Sequence, residues 1–406
     1  MRSSVAGPVA AIVLTLTACT SPTPKADRWQ PVDLPGAGRV VTLTATDEGL
    51  LVGRYDAGAR ERASLTVVGP DGGSRPVAME TRWEWAGREA ELLSVSEREG
   101  EVVAVGGHRA GAHGNVRWTV WSGDLDEVVE QPQRFEVFGG WDAGGLTGTA
   151  LSQGGPVILG SWAARSRQGL DVAVWTRDGD RWSRPARPGT PLAASATRQP
   201  SPGAVTDLPD GDLLAVGWVT VLGDRIRDEA VVWTAADPAG PWREVSLPST
   251  GGGTQRPMAV DCAADHCVVA GSSDTDVVLW RVDLTDDGLA PTRPRTALPD
   301  AVHSPAPVIQ TAAGAVDTVA HSEPARGEQP GTTRVVRADG DVEELSVTEL
   351  PGRLAAMATE PRGAVVVATT TADRSRSGSR PGLASRARRV SRSTSGTSDW
   401  RTTCRL

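Results

Sequence analysis

A short apolar run that ends in a small residue recurs along the whole chain, and its spacing constrains the fold more than any other feature. It reads LLVG at 50–53, VAVG at 103–106, VILG at 157–160, LAVG at 214–217 and VVAG at 268–271, with degraded forms at 316–320 and 365–368. The closing residues Gly53, Gly106, Gly160, Gly217 and Gly271 stand 53, 54, 57 and 54 residues apart. A unit of about fifty residues with several short strands is a small twisted sheet that needs a neighbour on each face. That is the logic of a propeller blade, not of a solenoid coil. Seven copies fit the chain. An all-β, seven-bladed β-propeller of four-stranded antiparallel blades is therefore expected.

The fourth copy gives the register within a unit: strand a at 203–206, b at 213–217, c at 230–234 and d at 242–247. Strand b is apolar throughout, as befits a strand covered on both faces. No long window has a helical period, so essentially no helix is expected. Between c and d, Asp178-Gly179 stands between Trp175 and Trp182, while Asp237 and Gly240 stand between Trp233 and Trp242. The aspartate can accept hydrogen bonds from the amides of its own turn, the glycine can take positive φ, and Trp182 or Trp242 can cover the core between units.

That turn resembles the Asp-box, or BNR, repeat of sialidase-type propellers, Ser/Thr-x-Asp-x-Gly-x-x-Trp, although here the glycine directly follows Asp178 and lies three after Asp237. The resemblance implies a propeller in which the Asp boxes are structural, and it raises a glycoside hydrolase as the alternative to a binding module. Sialidases of this class use a late tyrosine nucleophile paired with a glutamate, together with an arginine triad. This chain has one tyrosine, Tyr55, and it is early. The segment 234–242 also resembles the PQQ-type repeat, but the period here is longer, and no quinone or other cofactor is expected. No metal-binding spacing of histidines, nucleophile elbow or phosphate-binding glycine loop is present. Binding or scaffolding is expected over catalysis.

The first residues have a different character. Arg2 precedes an apolar run at 9–16, and Leu16-Thr17-Ala18-Cys19 has a small-residue cleavage pattern with cysteine just after it. This resembles a bacterial lipobox, which implies a signal peptide at 1–18, diacylglyceryl and acyl (palmitate-type) modification of Cys19, and a tether at 19–28. The localisation expected is the extracytoplasmic face of the cell membrane, held by a lipid anchor. No other run reaches the roughly twenty apolar residues of a spanning helix. The formal charge of −8 argues against a nucleic-acid partner. The partners expected are the membrane and a glycan or envelope protein, with the chain itself a monomer.

Cys262 and Cys267 flank a four-residue turn between strands a and b of the fifth unit, where facing positions come within disulfide reach. The propeller is assigned to 29–372, closed by an N-terminal strand at 29–32. The Arg/Ser-rich tract 373–406 is expected to lie outside it and to be partly disordered, because its composition buries too little apolar surface to offset ordering. In a propeller the b–c and d–a loops share one rim, and the a–b and c–d turns share the other. The first rim gathers the candidate ligand residues: Tyr55; His108, Arg109 and His113; Trp162, Arg165 and Arg167; Trp218, Arg225 and Arg227; and His321. Basic and aromatic groups at one mouth point to an anionic or carbohydrate ligand. Trp162 and Trp218 lead, since the strand pattern does not require an aromatic after the glycine.

Overall fold

The repeating glycine has a steric cause. In the computed structural model Gly217 faces Pro202 across a strand pair whose register shifts between Pro202 and Ala204. A Cβ at Gly217 would lie 2.1 Å from the Ser201 carbonyl oxygen and 2.8 Å from the Trp233 ring. Gly271 repeats the arrangement, its Cβ position 2.1 Å from the Arg256 oxygen beside a shift between Pro257 and Ala259. A bulge in the first strand thus pushes a carbonyl into the space a side chain would take. The copy at 316–320 ends in Ala320 opposite Gln310, and that pair runs without a register shift.

The structure describes residues 29–82, 85–109, 114–132, 134–139, 143–164, 169–249, 251, 253–286, 288–304, 307–314, 316–323, 331–338, 345–372 and 383–390. Almost all elements are strands. Arg39–Thr46, Gly49–Tyr55, Ala63–Val68 and Ser74–Glu80 form one antiparallel run, and Glu91–Arg98, Glu101–Arg109, Val116–Asp124 and Glu127–Glu130 form another. Parallel pairing of their outer strands, from Ala78 to Glu127, merges the two into an eight-stranded sheet. Further four-stranded runs are Ala143–Ser152 to Arg181–Ser183, Arg198–Asp207 to Arg243–Ser246, Gln255–Cys262 to Gly288–Pro291, and Val308–Ala312 to Ser346–Pro351. An additional strand, Arg295–Leu298, pairs with Asp276–Thr285.

The last sheet joins the two ends of the chain. Arg353–Thr359, Val365–Ala372 and Leu383–Val390 are completed by Gln30–Val32, which pairs with Arg389 to Ala387. The tract 373–406 was expected outside the propeller, yet it supplies this third strand. Among the described side chains of this strand, Ala387 and Val390 are buried while the arginines beside them keep at least partial exposure, so the strand turns small apolar groups inward and leaves basic ones toward solvent where composition looks too polar. The rest of the tract lies outside the described residues, as do the proposed signal, Cys19 and tether.

The first strand of each run packs against the first strand of the next, from Arg39–Thr46 through Arg353–Thr359 and back. The chain is a closed β-propeller. Its core lies between successive sheets, where Trp121, Trp175, Trp233 and Trp280, one on each of four third strands, are completely buried. Trp182 and Trp242 close the clusters around Trp175 and Trp233. In the turn before Trp242, the Ala239 amide donates to Asp237 Oδ1 at 2.7 Å and the Gly240 amide to the Asp237 carbonyl at 2.8 Å. Gly179 takes φ 60° beside the exposed Asp178. Contrary to the sequence expectation, two short helices occur, Trp85–Glu89 and Phe135–Phe138, each in a connection entering an inner strand. Phe138 packs against Trp175 and Trp182.

A candidate ligand site on the rim

The observed strands run several residues past the expected ends, and this moves most of the candidate rim residues out of loops. Trp162 lies within Gly155–Ala163 and is only 8% exposed, edge-on to Trp175 with Arg184 stacked 4.7 Å above it. It is a core residue. Trp218 lies within Leu213–Val221, opposite Ser201 and Ala230, with the Arg256 guanidinium 5.5 Å from its ring. Arg256 is held in turn by the buried Asp228 at 2.6 Å. His321 is buried in Asp317–Ser322, 3.4 Å from Glu323, and burial lowers its pKa. Arg227 pairs with Glu229, Arg109 donates to the Gly114 carbonyl, and Arg225 is exposed at the tip of its turn. His113, Arg165 and Arg167 lie outside the described residues. The convergence expected at one mouth is therefore absent among the described residues, because neighbouring strands carry these side chains into separate seams.

One seam does gather them. Tyr55 and His108, at the rim ends of second strands in the two halves of the eight-stranded sheet, share a set of partners. The Arg39 guanidinium stacks 5.0 Å from the Tyr55 ring and pairs with Glu91. Arg62 Nη1 donates to Tyr55 Oη at 3.5 Å and lies 3.2 Å from Glu89. Glu89 also meets His108 Nε2 at 3.1 Å, and the ring of His108 is set against Trp85 at 5.9 Å and 81°. Trp85 is 49% exposed.

Trp85 and Glu89 were missed from sequence because they sit on a short helix that the repeat does not encode. No change of period marks it, since WEWAGRE at 83–89 falls within the 53-residue spacing from Gly53 to Gly106. Gly87 lets this helix lie against the sheet, since a Cβ there would meet Thr81 Cγ2 at 2.8 Å and Thr119 Cγ2 at 3.3 Å. Glu130, buried beneath it, accepts the Arg82 amide at 2.7 Å, and Arg88 O accepts the Arg62 amide at 2.8 Å. Backbone anchors on both sides fix where Trp85 and Glu89 emerge.

The axis of the ring and the opposite face are different in kind. Cavities of about 300 and 450 Å³ lie along the axis. Glu97, Asp207 and Asp261 line the second. Burial pushes all three carboxyls up, Asp261 to about 6, against hydrogen bonds from the Ala313 and Cys262 amides. Among the described residues no three His, Cys, Asp or Glu side chains are grouped to hold a metal ion. Cys262 and Cys267 face each other in register and form a disulfide, with Cα atoms 4.0 Å apart. Beside it, His266 Nδ1 lies 2.7 Å from Asp265 and Nε2 2.7 Å from Asp317 on the next sheet. Arg281 completes the cluster, 2.8 Å from Asp283 and 3.4 Å from Asp317.

No protein-family profile and no curated protein matches the chain. Among solved structures, a protein of unknown function from Dyadobacter fermentans DSM 18053 is 12% identical, over 78% of this chain and 98% of that one, at a TM-score of 0.46. The Dos1 propeller is 8% identical, over 90% and 94%, at 0.45. A subtype N11 neuraminidase-like protein of A/flat-faced bat/Peru/033/2010 is 9% identical, over the same two shares, at 0.40. Likenesses this distant carry no weight for activity, and the sheet topology alone defines the propeller. Among the described residues no helix is long and apolar enough to cross a membrane.

Proposed function

We propose that the chain is a lipid-anchored, extracytoplasmic binding or scaffolding module built on a seven-bladed propeller. The eight-stranded sheet counts as two blades that share a parallel contact, and Gln30–Val32 is the outer strand of the seventh. The lipobox ending in Cys19 supports the anchor. The observation that carries the binding role is the rim cluster of Tyr55, Arg62, Glu89, His108 and Trp85, the place where polar groups and an exposed aromatic meet on one surface. Its carboxylate is held by the Arg62 guanidinium on one side and the His108 imidazole on the other, and Tyr55 Oη bonds to Arg62. No carboxylate among the described residues bonds the tyrosine to activate it as a nucleophile, so binding is favoured over the sialidase-like hydrolase alternative.

Two measurements test this reading. Metabolic labelling with a palmitate analogue should mark the mature protein and be lost in Cys19→Ala; an unlabelled wild type sinks the anchor. Purified protein on a glycan and polyanion array should bind and should leave glycosides intact, and turnover of a sialoside or other glycoside would instead establish the hydrolase.

A further inference from the structure

Each guanidinium of the rim cluster already has a carboxylate beside it, and this bears on the class of ligand. Arg62 pairs with Glu89 at 3.2 Å, Arg88 with Glu61 at 3.6 Å, and Arg39 with Glu91. His108 shares Glu89. An oxyanion approaching any of these guanidiniums meets the like charge of the glutamate already beside it, a repulsion that a neutral ligand does not feel. A ligand without charge can use the unfilled hydrogen-bonding positions of Arg62, Glu89, Tyr55 and His108, all at least partly open to solvent.

Trp85 supplies the other half of the surface. The T-shaped contact places the indole and the His108 ring almost perpendicular, so His108 does not stack over the indole, and the indole is half exposed. A pyranose ring has this amphipathic form, with a face of C–H groups and an edge of hydroxyls. Vicinal hydroxyls match the forked guanidinium and carboxylate, while the C–H face lies on the indole. Resting on the binding reading above, we infer that the seam between the two halves of the eight-stranded sheet binds a neutral sugar, stacked on Trp85 and hydrogen-bonded by Glu89 and Arg62.

The test is titration calorimetry of the purified wild type, Trp85→Ala and Glu89→Gln with neutral hexose and N-acetylhexosamine oligosaccharides. Sulfated and sialylated counterparts are run beside them at low and high salt. Unchanged melting temperatures establish that both variants fold. Support is binding of a neutral oligosaccharide that changes little with salt and weakens about tenfold or more in Trp85→Ala, a loss of about 1.4 kcal/mol or more. Binding confined to the anionic sugars, salt-sensitive and weakened by Trp85→Ala, overturns the neutral class but leaves the rim as the site. Binding unchanged in both variants overturns this inference and the rim assignment together. No binding of any sugar also overturns the inference, and the array with polyanions then decides whether the rim binds at all.

Discussion

The rim cluster, across the two halves of the eight-stranded sheet, and the His266 cluster, between two successive sheets, are both charged networks, yet burial sets them to different tasks. At the rim, Arg62, Glu89 and His108 keep between a quarter and two-fifths of their side-chain surface in solvent. Such pairs contribute little to stability because water already solvates each partner. At the opposite face, His266 is 3% and Asp317 6% exposed. Both imidazole nitrogens point at carboxylate oxygens, which only accept, so the doubly protonated ring is the form that satisfies both. A buried network like this is expensive to break, whereas an exposed one costs little stability to lose and leaves hydrogen-bonding positions open to a ligand. The same residue types therefore make a clasp in one place and a ligand surface in the other.

The largest expected effect follows from breaking the clasp. His266→Ala leaves the Asp317 carboxylate buried with only the long contact to Arg281, and should cost about 3–5 kcal/mol in urea unfolding. A loss below about 1 kcal/mol would mean that the two clusters do not differ as argued. Next comes the neighbouring disulfide. Replacing Cys262 and Cys267 by serine removes the constraint on a short loop whose ends are 5 residues apart in sequence. That constraint is worth about 2 kcal/mol in the chain-entropy model. A melting temperature unaffected by the double substitution would show that the hairpin is already fixed by its hydrogen bonds.

A third experiment uses pH to separate the faces. Asp317, more than Asp265, raises the pKa of His266 against the opposing effect of burial. That contribution is fully present below the unfolded value of about 6.5 and is lost as pH rises through the folded value. Asp261 acts in the same sense, because its carboxyl is raised to about 6 and its ionisation disfavours the folded state as pH climbs from about 4 through 6. The clasp also depends on Asp265, whose pKa is lowered chiefly by His266, so that part is lost on strong acidification. Stability should thus be greater at pH 5 than at pH 8. Asp261→Asn keeps an acceptor for the Ala313 amide and should remove about 1 kcal/mol of the difference. The full shift corresponds to ~3 kcal/mol, but only about 1.4 kcal/mol of it falls above pH 5, and the carboxyl borders the axial cavity, where water screens part of that. Equal slopes of stability against pH in the wild type and variant would refute the assignment.

How far the sequence revealed this architecture depended on whether the repeat encoded the feature. The period of about fifty-four residues, the apolar second strands and the closing glycines were all legible, because sterics tie each to the fold. Trp162 and Trp218 lie on strands and not in loops because the strands continue beyond the glycine, a boundary that local pattern does not mark, and Trp162 is buried there. The strand Leu383–Val390 was hidden by its arginines and serine, which take four of its eight positions, while the side chains described as buried are small, Ala387 and Val390. Of the site, Tyr55 and His108 were legible as rim residues. Their meeting through Glu89 was not, since that depends on where a five-residue helix outside the repeat comes to rest.

The smallest expected effect is the most direct check on the difference between the faces. Glu89→Gln removes the charge shared by Arg62 and His108 but keeps an amide oxygen able to accept from either. Because Arg62 and His108 both remain partly hydrated, unfolding free energy should change by no more than about 0.5 kcal/mol. The introduced amide also supplies two donors where the carboxylate supplied none, so a ligand hydroxyl that donated to Glu89 would lose its acceptor geometry while the sheet stayed intact. The variant should therefore melt with the wild type and bind less well. A drop in stability like that of His266→Ala would instead make the rim cluster a second clasp, and the distinction between the two faces would fall with it.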